Sequence, residues 1–105
     1  RTPLEISSRV ESAPGLKGEE RVLSLCQDLG ASRYVNAIGG TELYSRHVFL
    51  ERGVDLKFIR SRPHTYPQFE APHVPWLSIV DVLMFNSADK IRSGLLPDYD
   101  LVENA

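Results

Sequence analysis

The spacing of apolar residues predicts that strands and helices alternate over the first half of the chain. Residues 4–8 alternate between apolar and polar side chains, which is typical of a short strand. Over residues 22–29, apolar side chains recur three and four positions apart, the spacing of a helix that buries one face. Glu19 lies in the predicted first turn, where the helix dipole favours negative charge, and Gly30 lies where glycine commonly ends a helix.

A second strand and a second helix are predicted next, joined by a glycine turn. Residues 33–38 form a short, mainly apolar run, which is followed by Gly39 and Gly40. Thr41 is then a suitable N-cap for a helix over residues 42–52.

The second half of the chain begins with a third predicted strand and ends in helices. Within residues 54–60, Val54, Leu56 and Phe58 lie on one face of the predicted strand, and Asp55 and Lys57 lie on the other. A loop that contains proline and histidine, residues 61–75, separates this strand from a predicted helix over residues 77–85. A last helix is predicted over residues 88–96, and residues 97–105 are expected to form a polar tail.

This order of elements predicts an α/β fold with a parallel sheet. Strands that are joined through helices pair in parallel, and such crossovers are right-handed. The expected architecture is a two-layer or three-layer βαβαβ unit with additional C-terminal helices, in a single domain that comprises residues 1–105. Three strands are few for a sheet of this class, so we expect the sheet to continue outside this chain.

Composition narrows the classes of function. The chain carries 12 Lys and Arg against 14 Asp and Glu, so no overall positive field favours nucleic acid or an anionic membrane. No apolar run approaches the roughly 20 residues that span a bilayer, and membrane insertion is not expected. Cys26 is the only cysteine, and the three histidines lack the spacing of metal ligands. We therefore expect neither a metal nor another cofactor.

The carboxyl ends of the predicted strands are the expected place for a ligand, because open parallel sheets bind ligands there. Ser8 ends the first predicted strand. Asn36 lies in the second, where its amide either hydrogen-bonds a ligand or braces the following turn. The N–H groups of Gly39 and Gly40 would open a helix and form a candidate anion site. Tyr44, one turn further, can direct its hydroxyl back toward that turn.

A basic cluster ends the third predicted strand. Arg60 continues the apolar face of this strand, and Arg62 and His64 follow at the same edge of the predicted sheet. The cluster is either a clamp for phosphate or carboxylate or an ordinary solvated strand end.

The loop and helix that follow contain three further polar candidates. Tyr66 and Gln68 lie among prolines, in a loop that either covers a pocket or packs against the edge of the sheet. Asp81 lies three residues after Ser78 in an otherwise apolar helix. Its carboxylate either caps that helix at Ser78 or points into a site as a buried catalytic group.

Several blocks of the sequence together resemble the C-terminal half of the WbqC-like protein family. They occur in the order SLCQDLGASRYVNAIGGTELYSRHVFLERGVDLKFI, YPQF and PWLSIVDVLMFN. The resemblance covers about residues 6–101. Departures from the family pattern are Ala37, where proline is frequent, and Ser45, where aspartate is frequent. Members are about twice as long, so the resemblance implies that this chain is the C-terminal portion of a longer protein.

The resemblance implies a cytoplasmic role in the biosynthesis of bacterial O-antigen lipopolysaccharide or another surface polysaccharide. It suggests either a transferase that adds an acyl or aminoacyl group to a nucleotide-activated amino sugar, or a non-catalytic module that binds a partner in that pathway. In the transferase, Asp81 is the candidate general base. The candidate substrate-binding residues are Ser8, Asn36, Gly39, Gly40, Tyr44, Arg60, Tyr66 and Gln68. The expected partners are a nucleotide-activated sugar and either a second copy of the chain or the N-terminal half.

Overall fold

The structure, a computed structural model, describes residues 1–103 and divides them into two compact units. The first unit comprises residues 1–59 with residues 101–103, and the second comprises residues 60–100. The fold is mixed α/β, with a three-stranded mixed sheet in the order β1-β2-β3. The expectation of a single domain over residues 1–105 stays a prediction.

The bounds of the elements differ in part from those predicted. The strands are β1 (Arg33–Ala37), β2 (Asp55–Ser61) and β3 (Tyr99–Val102). The helices are α1 (Gly18–Asp28), α2 (Arg46–Glu51), α3 (Ile79–Phe85) and α4 (Ala88–Lys90). A π-helical turn over Ile91–Leu95 continues α4, and 3₁₀ turns occupy Ser7–Arg9 and Ile38–Gly40. Among the described helices, none is both long and apolar enough to cross a membrane.

The parallel pairing of β1 with β2 is confirmed. In this register Tyr34 lies opposite Leu56, and Asn36 lies opposite Phe58. Because β1 and β2 run in the same direction, the chain must cross back between them, and it does so through α2.

The core of the first unit lies between α1, α2 and β2. Its buried side chains are Leu23, Cys26, Phe49, Val54, Leu56 and Phe58. On β2 the buried positions alternate with half-buried polar ones, the period of two that the sequence predicted. The buried thiol of Cys26 has a raised pKa, because burial disfavours the charged thiolate.

The predicted first strand over residues 4–8 is wrong, and with it the all-parallel βαβαβ arrangement. Leu4 is 91% exposed and Ile6 is 52% exposed, so their alternation gains no buried surface. The backbone instead closes a local turn, in which the N–H of Arg9 donates to the carbonyl of Ile6 at 2.9 Å.

The third strand of the sheet is β3, in the segment that was predicted to be a polar tail. Val102 packs against the core of the first unit. Glu103 accepts hydrogen bonds from Lys57 Nζ at 2.7 Å and from Arg46 Nη2 at 3.0 Å. The Lys57 ammonium holds the pKa of the Glu103 carboxyl below its usual value. Contacts with residues distant in sequence therefore fix this end of the chain.

The second helix starts four residues later than predicted, at Arg46. Thr41 lies in a turn after the 3₁₀ segment and does not cap α2, whose N-cap is Ser45. The N–H of Ser45 donates to Glu19 Oε2 at 2.5 Å, so a carboxylate from α1 satisfies a donor at the start of α2. The N–H groups of Gly39 and Gly40 therefore do not open this helix, which corrects the predicted helix-terminal anion site.

Candidate functional site

The first unit brings Asn36, Gly40 and Tyr44 together. Asn36 Oδ1 accepts a hydrogen bond from the N–H of Ala37 at 2.8 Å. A Cβ on Gly40 would collide with the amide nitrogen of Asn36 and would touch the Tyr44 ring, whereas a Cβ on Gly39 would meet open space. The absence of a side chain at Gly40 therefore permits the close approach of the Asn36 amide to the glycine turn.

The ring of Tyr44 is part of an aromatic cluster. It packs edge-on against Tyr34 and Phe49, at centroid distances of 6.0 Å in both cases. Tyr34 stacks on Phe49 at 5.7 Å, and burial raises the pKa of the Tyr34 phenol. Ser8, in contrast, lies in the exposed 3₁₀ turn near the N-terminus. The ligand-binding roles predicted for these residues stay predictions.

In the second unit, most of the predicted basic cluster is paired with acidic side chains. Arg62 donates to Asp98 Oδ1 at 2.8 Å and also to both oxygens of the Asp100 carboxylate. These bonds raise the pKa of Arg62 and lower that of Asp100. His64 Nε2 lies 2.8 Å from Asp98 Oδ2, without the alignment of a hydrogen bond. A phosphate would have to compete with these carboxylates for Arg62 and His64. Arg60, the remaining residue of the cluster, is exposed.

The second unit also brings Tyr66, Gln68 and Asp81 together. Asp81 Oδ2 accepts a hydrogen bond from Tyr66 Oη at 2.5 Å and a second from Gln68 Nε2 at 2.9 Å. The bond to Asp81 raises the pKa of the Tyr66 phenol, because the carboxylate stabilises the protonated hydroxyl. Both donors are buried side chains, with 8% and 7% exposure.

Asp81 does not cap α3. Ser78 Oγ accepts from the N–H of Val80 at 3.2 Å, so Ser78 itself caps the helix. The carboxylate of Asp81, in the first turn of the helix, bonds the preceding loop instead. The contacts therefore contradict the cap at Ser78 and show instead a pair of hydrogen bonds that join α3 to this loop.

Gln68 fixes the loop through two side-chain hydrogen bonds to the backbone of Val74. Its Oε1 accepts from the N–H of Val74 at 2.7 Å, and its Nε2 donates to the carbonyl of Val74 at 3.0 Å. Gln68 also forms an antiparallel bridge with Ala71, around a turn in which Phe69 adopts a positive φ of 54°. The side chain of Gln68 therefore closes the loop in the manner of a short strand pair.

His73 belongs to the same loop, and its ring is held in one orientation. Its Nδ1 lies 3.1 Å from the carbonyl oxygen of Tyr66, and its ring packs edge-on against the Tyr66 ring at 4.9 Å. A carbonyl oxygen only accepts hydrogen bonds, so Nδ1 carries the proton in this contact. Within residues 1–103, the buried Nε2 atom has no hydrogen-bond partner.

These loop residues form one wall of a cavity of about 230 Å³ within the second unit. The polar residues of the lining are Ser61, Arg62, His64, Tyr66 and His73, and the remaining lining is apolar. The principal apolar side chains are Trp76, Leu77, Ile79, Val82, Ile91 and Leu95. The site thus combines an apolar interior with a few oriented polar groups, the usual make-up of a small-molecule pocket. Within residues 1–103, no cluster of histidine, cysteine and acidic side chains is arranged to hold a metal ion.

Comparison with protein families now decides the assignment of the chain. The model of the WbqC-like protein family matches residues 1–93. The chain belongs to the WbqC-like protein family. Comparisons with curated proteins and with solved structures gave no match. The family match confirms the resemblance that the sequence blocks indicated.

In this WbqC-like chain, the matched residues include the whole Tyr66–Gln68–Asp81 cluster and His73. His73 is one of the three histidines whose spacing suits no metal site, and the sequence alone indicated no other role for it. Pro72 and Pro75, on either side of His73 and Val74, are the signal that could have drawn attention to it. Prolines restrict their own backbone and that of the preceding residue, which favours a loop of fixed shape.

Proposed function

We propose that this WbqC-like chain acts in the cytoplasm in the biosynthesis of a bacterial surface polysaccharide, such as O-antigen lipopolysaccharide. Its proposed activity, or its share of one, is the transfer of an acyl or aminoacyl group to a nucleotide-activated amino sugar. The observation that carries this proposal is the cavity within residues 60–100, where an apolar lining meets an oriented histidine. Membership of the family supports the choice of pathway.

The size of the cavity favours the acyl group as its occupant. A volume of about 230 Å³ is below the roughly 300–1,000 Å³ of pockets that enclose drug-sized molecules. A short acyl or aminoacyl group fits such a volume, and a complete nucleotide-activated sugar does not. The sugar and nucleotide would then extend outward past Trp76, whose ring is 69% exposed and offers an aromatic face.

The proposed reaction requires a proton acceptor. The amine nitrogen of the sugar attacks the carbonyl carbon of an activated ester, a C–N bond forms, and the bond from carbon to the leaving oxygen or sulfur breaks. The electron pair departs with that atom, and the proton that the nitrogen loses passes to a base and from the base to the leaving atom. Asp81 was the candidate base, but it does not line the cavity and its Oδ2 accepts two hydrogen bonds from the loop, so we assign it to holding the loop.

Fluorescence of Trp76, the single tryptophan, tests this proposal directly. Acyl pantetheine thioesters of increasing chain length would be titrated into the full chain. Affinity should rise about fourfold for each added methylene, at about 0.8 kcal/mol each, and then fall when the cavity is full. Val82→Phe, which adds bulk to the cavity wall, should abolish this series. The matched control is Val80→Phe, on the same helix but outside the lining. Affinity independent of chain length would contradict an acyl site.

A second titration tests whether the glycine turn takes part. A nucleotide-activated amino sugar should shift the amide NMR signals of Gly39 and Gly40 and the signals of Arg60 if these predicted residues contact it. Unchanged signals across a panel of such sugars would remove these three residues from the proposed site, while the acyl titration would still report on the cavity.

A non-catalytic module is the second candidate, and the surface of α3 favours it. This helix has no buried residue, and Ile79, Val80 and Leu83 are each more than half exposed. Exposed apolar patches commonly mark interfaces. A partner enzyme, a second copy, or the N-terminal half that the family resemblance implies would cover it. In this case Asp81→Asn lowers stability and leaves every measurable transfer activity unchanged, whereas a concentration-independent monomer in sedimentation would argue against self-association.

A further inference from the structure

We infer that the cavity of the second unit takes an uncharged acyl group and excludes an aminoacyl group, a choice of donor that rests on the proposed transfer reaction. An aminoacyl group carries a charged α-ammonium next to the reacting carbonyl, and a simple acyl group does not. Among the described residues, the lining of the cavity contains no aspartate or glutamate. A cation that entered it would lose hydration without gaining an ion pair.

The lining residue with a permanent charge, Arg62, is itself a cation. Its guanidinium donates to both oxygens of Asp100 and to Oδ1 of Asp98, and neither of these carboxylates lines the cavity. The remaining oxygen of Asp98 lies 2.8 Å from Nε2 of His64. Because all four carboxylate oxygens already contact a residue of the lining, an ammonium would have to displace Arg62 or His64 to reach an ion-pair partner.

Several polar atoms of the lining residues are engaged within the protein. Nε2 of His64 and Nε2 of His73 are buried, and Nδ1 of His73 lies 3.1 Å from the carbonyl of Tyr66. The hydroxyl of Tyr66 donates to Asp81. The helix α3 and the π-helical turn supply aliphatic side chains to the rest of the lining. The surface that meets an occupant is therefore suited to an aliphatic chain.

The aromatic rings of the lining do not replace the missing carboxylate. Aromatic sites that recognise ammonium groups enclose the cation between several ring faces. Here the rings of Tyr66 and His73 pack edge-on against each other at 4.9 Å, so they cover part of each other. Trp76 is 69% exposed. One exposed indole face contributes little to binding a primary ammonium compared with the hydration that the ammonium loses.

Three isosteric probes test the choice of donor in the unaltered full chain. Pantetheine amides, in which nitrogen replaces the thioester sulfur, bind without transferring their isobutyryl, L-lactyl or L-alanyl group. These groups differ only in a methyl, hydroxyl or ammonium substituent on the same carbon. At a pH of about 6 the amine of the L-alanyl probe is protonated, because the usual pKa of an α-amino group is about 7.7–8.0. Fluorescence of Trp76, the single tryptophan, measures each affinity.

Affinity should fall in the order isobutyryl, L-lactyl, L-alanyl. An apolar pocket rejects the hydroxyl isostere of a methyl group by up to about 10²-fold, and a charge costs more. Because Trp76 leaves part of the lining open to water, we expect the L-alanyl probe to bind about 10–10²-fold more weakly than the isobutyryl probe. Equal affinity, or tighter binding of L-alanyl, overturns this inference and leaves the proposed transfer standing. Binding of none of the three probes overturns the proposed function as well.

A carboxylate placed in the lining should shift the preference toward the ammonium. Ile79 lines the cavity and is 59% exposed, whereas Val80, the next residue of α3, lies outside the lining and is 58% exposed. Both Ile79→Glu and Val80→Glu add a negative charge to the first turn of this helix, where the helix dipole favours it. Ile79→Glu should raise the affinity for L-alanyl, relative to isobutyryl, about fivefold, the effect of a partly exposed ion pair. Val80→Glu should leave the ratio unchanged. If Ile79→Glu gains no more than Val80→Glu, the lining does not set the preference and the inference is overturned.

Discussion

Replacing Gln68 by alanine should release the loop that holds His73. The substitution removes a buried side chain that makes three hydrogen bonds, two with the backbone of Val74 and one with the Asp81 carboxylate. It leaves both backbone groups of Val74 and one lone pair of Asp81 without these partners. The loop then keeps two ties to α3, the hydrogen bond from Tyr66 to Asp81 and the edge-on packing of the Phe69 ring against Phe85.

The magnitude follows from the kinds of bond that are lost. A neutral hydrogen bond contributes about 1 kcal/mol net, and one to a charged group about 1.5–3 kcal/mol. Two of the first kind and one of the second give about 3.5–5 kcal/mol. Because the Val74 side chain is 52% exposed, water reaches this part of the loop and offsets part of the loss. We therefore expect a decrease of about 2–4 kcal/mol in the free energy of unfolding of the loop.

Urea unfolding followed by two signals measures this effect. Fluorescence of Trp76 reports on the end of the loop, and circular dichroism reports on the helices of the whole chain. At a slope of about 2 kcal/mol/M, the fluorescence midpoint should fall by about 1–2 M. The matched control is Gln27→Ala on the exposed face of α1, which should stay within about 0.5 kcal/mol. A fluorescence midpoint as little changed as that of the control would refute the role given to Gln68.

Gln68→Glu separates the loss of a donor from the loss of a side chain. It keeps an acceptor for the N–H of Val74 but puts a second carboxyl beside Asp81, in place of a donor that lies 2.9 Å from Oδ2. Like charges at this distance favour the protonated form of the introduced carboxyl in the folded state, so its folded pKa rises above its unfolded value. The folded state then binds more protons, and stability should decrease as pH rises from about 5 to about 8. An equal stability at both pH values would contradict the proximity of the two groups.

Three further predictions address the rest of the chain. Gly40→Ala should lower the free energy of unfolding by about 1–3 kcal/mol, because the added Cβ would meet the Asn36 amide. Gly39→Ala, whose Cβ would meet open space, should leave the free energy of unfolding unchanged, and urea titrations measure both. Phe69→Gly should be about 1 kcal/mol more stable than Phe69→Ala, because both lose the ring but only glycine adopts a φ of 54° freely; equal stability would contradict this. Cys26, whose thiol pKa is raised by burial, should react with an aromatic disulfide far more slowly in the folded chain than in urea, and equal rates would show that it is accessible.

The parts of the fold that could be predicted are those in which the local pattern coincides with the packing. The helical spacing of α1 and the alternation of β2 place Leu23 and Leu56 in the core, where the structure has them. β3 was missed because a four-residue strand with two charged neighbours has little local signal. Its position depends on Glu103 binding Lys57, 46 positions away. The start of α2 depends in the same way on a carboxylate in α1.

The sequence was enough to predict which side chains belong to the candidate site, but not how they contact one another. The family blocks drew attention to Tyr66, Gln68 and Asp81, which the structure brings within hydrogen-bonding distance. The contact that orients His73 involves a backbone carbonyl of Tyr66, and main-chain atoms leave no signature in sequence. The turn that opens between Gln68 and Ala71 was equally hidden, because phenylalanine is not a residue that indicates a positive φ.

The loop that carries His73 has both strained backbone and several side-chain hydrogen bonds. The free-energy cost of the strain and the stabilisation by these bonds are of similar size. Phe69 and Trp76 both adopt positive φ, at about 1–3 kcal/mol each for bulky residues. The hydrogen bonds of Gln68 stabilise the loop by about 2–4 kcal/mol. A loop so nearly balanced should open locally before the rest of the chain unfolds. Gln68→Ala should therefore lower the Trp76 midpoint more than the helical midpoint, and it should allow the His73 ring to sample the other tautomer while the helices remain folded.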